Sequence, residues 1–421
     1  MSDAWQPRAR LSWFRRLGPG LITGAADDDP SGIATYSQAG AQFGVNMLWT
    51  VVLIYPLMVA IQAICARIGR VTGEGLAANM AHLLPSWLVH ALVFLLFVAN
   101  AVNIGADIAA MGAAARLVLG WGEMLFALLF AVGSLILQIM VPYHRYVHVL
   151  KWLTLALFAY VGVLFSVEID WSAVIRGTVW PQIAWTQDAF TVVVAVFGTT
   201  ISPYLFFWQS AEEVEDVRLA GSGSLLEHPE GARGELGRIA FDTYVGMAFS
   251  NAIAFFIILT TAVTLNKAGI TDIETSAQAA EALRPIAGEF AFLLFSLGII
   301  GTGLLALPVL AGSAAYAIGE LRGWQVGLEH RPRDAKAFYA VVGLGFMIGL
   351  VLLFLPINPI KALFWSAVLN GVISVPLMVA AMIVVSSRAR LGPFVAPLGL
   401  KIVGWLATAV MAAAALAMAV L

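Results

Sequence analysis

Charged residues are scarce in this chain, and their scarcity excludes most kinds of soluble protein. Asp, Glu, Lys and Arg make up 11% of the 421 residues, whereas 61% are hydrophobic. The mean hydropathy is +0.89, which is typical of chains whose helices cross a bilayer repeatedly. The composition therefore predicts a polytopic membrane protein and not a soluble globular core.

Cysteine is almost absent, and the signatures of catalysis are missing. Cys65 is the single cysteine, so an intramolecular disulfide is excluded and a thiolate metal site is not indicated. The chain also has no phosphate-binding loop and no nucleophile–base pair. We therefore expect it not to be an enzyme and to need no cofactor. Its partners should be the lipid bilayer and a small solute, since nothing points to a nucleic acid or an obligate protein partner.

Apolar runs predict about eleven membrane-spanning helices. With a cytoplasmic N-terminus, 18 of the 23 Lys and Arg residues lie on the inner side, and this asymmetry favours that orientation, with the C-terminus extracytoplasmic. The arginines near the N-terminus resemble a signal-peptide flank, but the next apolar segment is too long and too acidic, so no cleavage is expected. The predicted spans are 17–43, 46–69, 87–116, 124–142, 150–167, 189–211, 238–265, 288–318, 337–355, 361–386 and 398–421.

Three consecutive acids, Asp27, Asp28 and Asp29, lie inside the first of these spans. Each acid near the bilayer midplane costs about 3 kcal/mol, or roughly 9 kcal/mol together if nothing compensates them. Pro30 lacks an N–H group and opposes helical geometry at Asp29, so the helix should break there. A broken helix at membrane depth is tolerated only where it is buried in protein or lines a cavity. We therefore predict an unwound acidic turn that faces a polar chamber.

A second break is predicted at Pro203, about 14 residues into span six, as Pro30 lies about 13 residues into span one. Interrupted helices at matching places in two halves of a chain indicate a transporter with inverted repeats and a binding site at the membrane midplane. The predicted organisation is a cytoplasmic tail (1–16), a first repeat of five spans (17–167), an extracellular loop (168–188), a second repeat of five spans (189–386) with a flexible cytoplasmic linker (221–237), and a final span (387–421).

Polar side chains on two other spans are candidates for the same chamber. Asn100, Asn103 and Asp107 are spaced i, i+3 and i+7, so they share one helical face, which should turn toward the bundle interior. The two amides could instead hydrogen-bond between helices. Asn370 either faces the chamber or caps a kink made with Pro376.

Two further patterns are weaker. His144 and His148 have a spacing that could chelate a metal, but Arg145 and Lys151 flank them and no carboxylate is near, so a metal role is not expected. The acidic run at residues 212–216 is either a solvated helix end or a means of drawing cations toward the inner mouth.

Four stretches of the chain resemble the Nramp family of divalent-metal transporters. Residues 29–32 correspond to the Asp-Pro-Gly-Asn motif of the family, and the match continues at 38–41, 71–77 and 107–109. The similarity covers spans one to ten. It implies an all-α, LeuT-type fold with five-plus-five inverted repeats, a metal ion bound between the unwound spans one and six, and a place in the inner (plasma) membrane of a bacterium.

The chain departs from that family at the residues that would bind the metal. Gly32 replaces the Asn ligand, and Ser202 and Tyr204 replace the Met and His of a Met-Pro-His sequence. The backbone-carbonyl ligand of the family falls at Thr199, and Ala110 replaces a Glu. With the extra acids before Asp29, this pattern resembles the Nramp-related magnesium transporters. The implied metal site is Asp28, Asp29, Gly32, Thr199 and Ser202, with Asp27, Asn100, Asn103, Asp107, Tyr204 and Asn370 as an outer shell or permeation path.

The chemistry of these residues favours a hard cation. A thioether selects softer metals, whereas carboxylate, hydroxyl, carbonyl and water suit Mg²⁺ and Mn²⁺. Mg²⁺ loses water reluctantly and is usually held by one or two carboxylates. We therefore predict import of partly hydrated Mg²⁺, with Mn²⁺ also accepted, by alternating access. Obligatory proton coupling is not expected, because the ordinary pKa of a tyrosine such as Tyr204 is about 10.

Three alternatives compete with this prediction. A proton-coupled Mn²⁺/Fe²⁺ importer of the main Nramp branch would need the Met, His and Glu that this chain lacks. A transporter of organic solutes would present half-helix N-termini to a substrate carboxylate, which the three acids would repel. A sensor or structural membrane protein would have no need of paired broken helices.

Overall fold

A computed structural model describes residues 23–421 apart from 25, 142–152, 183 and 329. Every regular element within these ranges is a helix. The N-terminal tail and the His144 and His148 pair lie outside the described residues. The α-helices are α1 (Pro30–Phe43), α2 (Leu48–Thr72), α3 (Leu76–Ala81), α4 (Ser86–Leu119), α5 (Glu123–Met140), α6 (Phe158–Val163), α7 (Trp171–Val179), α8 (Gln187–Thr200), α9 (Pro203–Ala220), α10 (Ala232–Thr261), α11 (Ser276–Glu281), α12 (Arg284–Ala287), α13 (Ala291–Arg322), α14 (Lys336–Leu352), α15 (Pro359–Ser386), α16 (Arg388–Leu391) and α17 (Leu398–Val420).

Eight helical stretches among the described residues are long and apolar enough to cross a membrane. The stretch Pro30–Thr72 contains both α1 and α2, which the short 3₁₀ helix Gly44–Met47 separates. Two shorter apolar helices cover Leu153–Val163 and Lys336–Leu352. With α1 and α2 counted apart and the shorter helices included, the described ranges contain eleven apolar helices, the same number as the predicted spans; parts of the predicted spans 17–43, 124–142 and 150–167 lie outside the described residues.

Both predicted helix breaks are present. Residues 26 and 27 are helical, but Asp28 lies in a bend, and Asp29 has an extended backbone (φ −69°, ψ 171°) that caps α1. In the second half, Ser202 is likewise extended (φ −76°, ψ 134°) and α9 begins at Pro203. Each proline therefore opens a half-helix, where its missing N–H group leaves no hydrogen bond unmade.

Glycines allow the half-helices to pack closely against their neighbours. A Cβ on Gly24 would lie 2.3 Å from the carbonyl oxygen of Gly246 on α10. A Cβ on Gly198 would lie 2.1 Å from the carbonyl oxygen of Ala367 on α15. No real side chain fits at such distances, so the absence of a Cβ is what permits these contacts. The central helix α4 packs against α5, α13, α14 and α15.

The predicted loop 168–188 and the predicted linker 221–237 both contain helical residues that the sequence did not lead us to expect. The loop 168–188 includes the helix α7, which Asp170 caps by accepting hydrogen bonds from the backbone of Ser172 and Ala173. The hydrogen bond from the Ser172 hydroxyl is the main reason that the pKa of the Asp170 carboxyl is lowered.

The linker predicted at 221–237 is also shorter and better packed than expected. Helix α10 begins at Ala232, so residues 232–237 are helical. Leu225 is buried, and its backbone N–H donates to the carbonyl oxygen of Arg70 at 3.3 Å. Contacts of this kind hold part of the segment against the end of α2.

Candidate metal site between the two broken helices

Asp29 lies at the centre of the candidate site with its two carboxylate oxygens directed to different helices. Oδ1 accepts hydrogen bonds from the backbone N–H of Gly32 (2.8 Å) and from Oγ of Ser31 (2.6 Å). Oδ2 accepts from Nδ2 of Asn103 (3.1 Å). The hydroxyl of Tyr204 lies 3.4 Å from Oδ2 and 3.1 Å from the carbonyl oxygen of Ala26, and its one proton can go to either. The negative charge of Asp29 also stands at the N-terminus of α1, where the helix dipole stabilises it. These contacts hold a buried carboxylate in one orientation.

The second break approaches Asp29 through Ser31. Oγ1 of Thr199 and Oγ of Ser31 lie 3.4 Å apart. The Ser202 hydroxyl is directed at the carbonyl oxygens of Gly198 (2.7 Å) and Thr199 (2.8 Å). The one proton of this hydroxyl can go to either carbonyl. The Thr199 carbonyl, which the family resemblance assigns as a metal ligand, is therefore one of two acceptors for Ser202.

Gly32 lets the two breaks approach each other closely. A Cβ at this position would lie 3.3 Å from both Oγ1 of Thr199 and Cε2 of Tyr36, and 3.4 Å from the carbonyl oxygen of Asp27. A side chain on residue 32 would therefore press against residues of both broken helices. Nearby, the Tyr36 hydroxyl lies 2.9 Å from Oγ1 of Thr200.

Asp27 and Asp28 face a different helix from Asp29. Oγ of Ser250, on α10, lies 2.6 Å from Oδ2 of Asp27 and 3.1 Å from Oδ1 of Asp28. One hydroxyl has one proton, so it can donate to only one of the two carboxylates at a time. Sequence reasoning missed both Ser250 and Ser31. Ser31 could have been found, because it lies within the matched motif, but a single Ser on the apolar helix α10 carries no distinguishing signal.

The remaining candidates divide according to their contacts. Asn103 and Tyr204 touch Asp29 directly, and Asp107 follows Asn103 by one turn of α4. Asn100 is bound instead to α13, since its Nδ2 donates to the carbonyl oxygen of Leu310 (2.8 Å). Asn370 is buried with no hydrogen-bond partner for either amide atom among the described residues.

The carboxylates do not form a single cage. Within the described ranges there is no group of three or more His, Cys, Asp or Glu side chains arranged to hold a metal ion, and no Lys or Arg in those ranges forms an ion pair with Asp27, Asp28, Asp29 or Asp107. The carboxylate of Asp29 has hydroxyls and an amide around it. Such a donor set suits a cation that keeps part of its water shell.

The fold is all-helical, two of its helices are interrupted, and carboxylates are buried between the breaks. These features define a polytopic membrane protein with broken helices. The family model described as "Natural resistance-associated macrophage protein-like" (Nramp) matches residues 20–421, and the chain belongs to this family.

Known proteins resemble the chain over nearly its whole length. The divalent metal cation transporter MntH of Klebsiella pneumoniae (strain 342) is 24% identical over 413 residues, which cover 96% of this chain and 93% of that protein. The manganese transporter of Eremococcus coleocola, in complex with an aromatic bis-isothiourea compound, superimposes with a TM-score of 0.72 at 15% identity, covering 99% of this chain and 88% of that one. MHP1, a nucleobase-cation-symport-1 family transporter, gives a TM-score of 0.56 at 14% identity, with 96% and 91% covered.

These comparisons confirm the Nramp resemblance and the fold class. They also confirm that the chain is not an enzyme, since the relatives are transporters. The resemblance to the magnesium branch stays a prediction.

Proposed function

We propose that this protein carries divalent metal cations across the membrane, with Mg²⁺ as the favoured substrate and Mn²⁺ also accepted. The names of the relatives support divalent metal transport. The observation that supports a hard cation is the neighbourhood of Asp29. Its hydrogen-bond partners are hydroxyls, an amide and a backbone N–H, with neither a thioether nor an imidazole among those described.

Oxygen ligands and space for water are what Mg²⁺ requires. In this proposal Asp29 binds the ion, and the hydroxyls of Thr199 and Ser202 complete the site from the second broken helix. Gly32 contributes no side-chain ligand, so water takes the place of the family's Asn in the proposed coordination. Asp28 approaches the ion once its contact with Ser250 is released. The permeation path then includes Asp27, Asn100, Asn103, Asp107, Tyr204 and Asn370.

The energy for import is proposed to come from the membrane potential and the ion gradient, without obligatory proton coupling. Moving two charges across ~100 mV contributes about 4.6 kcal/mol, which is enough for accumulation up to about a thousandfold. The proposed setting is the inner membrane of a bacterium, with the N-terminus cytoplasmic and the C-terminus outside. Alternating access would open the site to each side in turn.

Uptake into proteoliposomes tests this function. Purified protein is reconstituted at a clamped potential, and entry of Mg²⁺, Mn²⁺, Cd²⁺ and Ca²⁺ is followed separately while internal pH is recorded. We expect Mg²⁺ and Mn²⁺ to enter and the internal pH to stay constant. Preferential entry of Cd²⁺ together with internal acidification would favour the alternative, a proton-coupled Mn²⁺/Fe²⁺ importer.

A further inference from the structure

One face of α4 carries a line of acceptor oxygens that have no donor. Oδ1 of Asn100, Oδ1 of Asn103 and both carboxylate oxygens of Asp107 are buried and lack a hydrogen-bond partner among the described residues. Three residues separate Asn100 from Asn103 and four separate Asn103 from Asp107, so the three side chains lie within about 10 Å along one face. This line passes directly beside Asp29, because Asn103 touches it.

The hydrogen bonds of Asn100 and Asn103 determine which side-chain atom is the nitrogen and which is the oxygen. Nδ2 of Asn103 donates to a carboxylate oxygen of Asp29, and Nδ2 of Asn100 donates to the carbonyl oxygen of Leu310. Both partners can only accept hydrogen bonds, so turning either amide around would place two acceptors against each other. The atoms left without partners are therefore oxygens.

Burying a hydrogen-bond acceptor without a donor costs free energy, and the cost is largest for a carboxylate such as that of Asp107. An unpaired buried carboxylate must become protonated, contact water or bind a cation. Asp107 also interacts electrostatically with Asp29, and two buried negative charges repel each other. No Lys or Arg of the described residues forms an ion pair with either acid.

We propose that Asp107, together with Oδ1 of Asn103, forms a second divalent-cation site beside the site at Asp29. This inference rests on the proposed transport of divalent metals. Asn103 then links the two sites, because its Nδ2 holds Asp29 while its Oδ1 faces the second ion. An ion leaving Asp107 reaches Asp29 in a step of about one helical turn, roughly 6 Å along α4.

The second site lies on the outer side of Asp29 in the proposed orientation, in which α4 runs from the cytoplasm outward. Met111 lies one turn beyond Asp107 on that side. A Cβ on Gly303 of α13 would lie 2.5 Å from Sδ of Met111 and 3.3 Å from Cγ of Pro30, so both side chains lie next to Gly303. The flexible thioether side chain can move aside when an ion enters.

The test is the number of Mn²⁺ ions bound by purified protein, read from the EPR signal of free Mn²⁺. We expect about two ions per chain for the wild type and about one for Asp107→Asn and for Asp29→Asn, because Mg²⁺ and Mn²⁺ sites of this kind depend on one or two carboxylates each. Asp188→Asn is the matched control. It removes the same charge from an exposed position in the first turn of α8 and should leave the count unchanged.

The asparagine variant also separates cation binding from protonation. Asn has the shape of a neutral Asp, so a protein in which Asp107 is merely protonated would bind Mn²⁺ equally well with Asp107→Asn. One ion per chain in the wild type, lost in Asp29→Asn and retained in Asp107→Asn, would overturn the second site and leave the proposed function intact. Failure of the wild type to bind Mn²⁺ or Mg²⁺ would overturn both. Elution volume and melting temperature verify that each variant is folded.

Discussion

At the scale of single residues, Asp29 has two roles that substitution can separate. It caps α1 through its contacts with Gly32 and Ser31, and it supplies charge to the candidate site. Asp29→Asn keeps a side-chain oxygen for the cap but removes the charge, so we expect normal folding and loss of Mg²⁺ and Mn²⁺ uptake. Asp29→Ala should lose uptake and also about 1 kcal/mol of stability with the cap. Uptake assays and melting temperatures measure the two effects. A folded Asp29→Asn protein with normal uptake would contradict the site.

In the proposed site, we expect metal selectivity to depend on Gly32 and Ser202. Gly32→Asn introduces the family ligand, and the 3.3 Å approach of its Cβ to Thr199 and Tyr36 requires only small side-chain shifts. Ser202→Met adds a thioether and removes the hydroxyl that can donate to the Thr199 carbonyl. We expect the double variant to bind Cd²⁺ at least about tenfold more tightly, because a soft ligand favours a soft ion. Calorimetry measures this, with each single variant as a control. Tight Cd²⁺ binding by the wild type would refute the hard site.

At the scale of helices, the second break depends on how closely α8 approaches α15. A Cβ on Gly198 would lie 2.1 Å from the carbonyl oxygen of Ala367, so Gly198→Ala must push the helices apart and displace the neighbouring Thr199. Overpacking of this kind costs about 1–3 kcal/mol, and uptake should fall as well. Gly133→Ala on α5 is the matched control, because nothing lies within 4 Å of its Cβ. Equal melting temperatures and uptake rates for the two variants would show that this contact is unimportant.

At the scale of the whole molecule, transport without a proton has a direct electrical consequence. Two positive charges should cross for each Mg²⁺ or Mn²⁺ ion, and accumulation should rise about tenfold for each 30 mV of potential. A metal-sensitive dye and a pH-sensitive dye in the same proteoliposomes measure both quantities. Acidification that depends on the metal and disappears in Asp107→Asn would show that this acid carries a proton instead.

The two helix breaks and the eleven spans could be predicted from the sequence, because they depend on local chemistry. Pro30 and Pro203 each begin a half-helix. Pro56, Pro308 and Pro376 lie inside continuous helices, so proline alone does not mark a break; the matched positions of Pro30 and Pro203 and the acids before Pro30 do. Hydrophobic length likewise decides which segments can cross a bilayer. The helix α7 was not predicted, because it lies outside the membrane and is only nine residues long.

Only the tertiary structure decided which polar groups meet. Asp27 and Asp28 are neighbours of Asp29 in sequence, yet they turn toward Ser250, 223 and 222 residues further along the chain, while Asp29 turns toward Asn103 and Tyr204. The periodicity of the sequence does not predict these contacts between helices. They depend on how closely separate helices pack at glycines such as Gly24. The sequence determined that carboxylates would be buried at a helix break. The packing of α4, α9 and α10 around that break determined what each carboxylate faces.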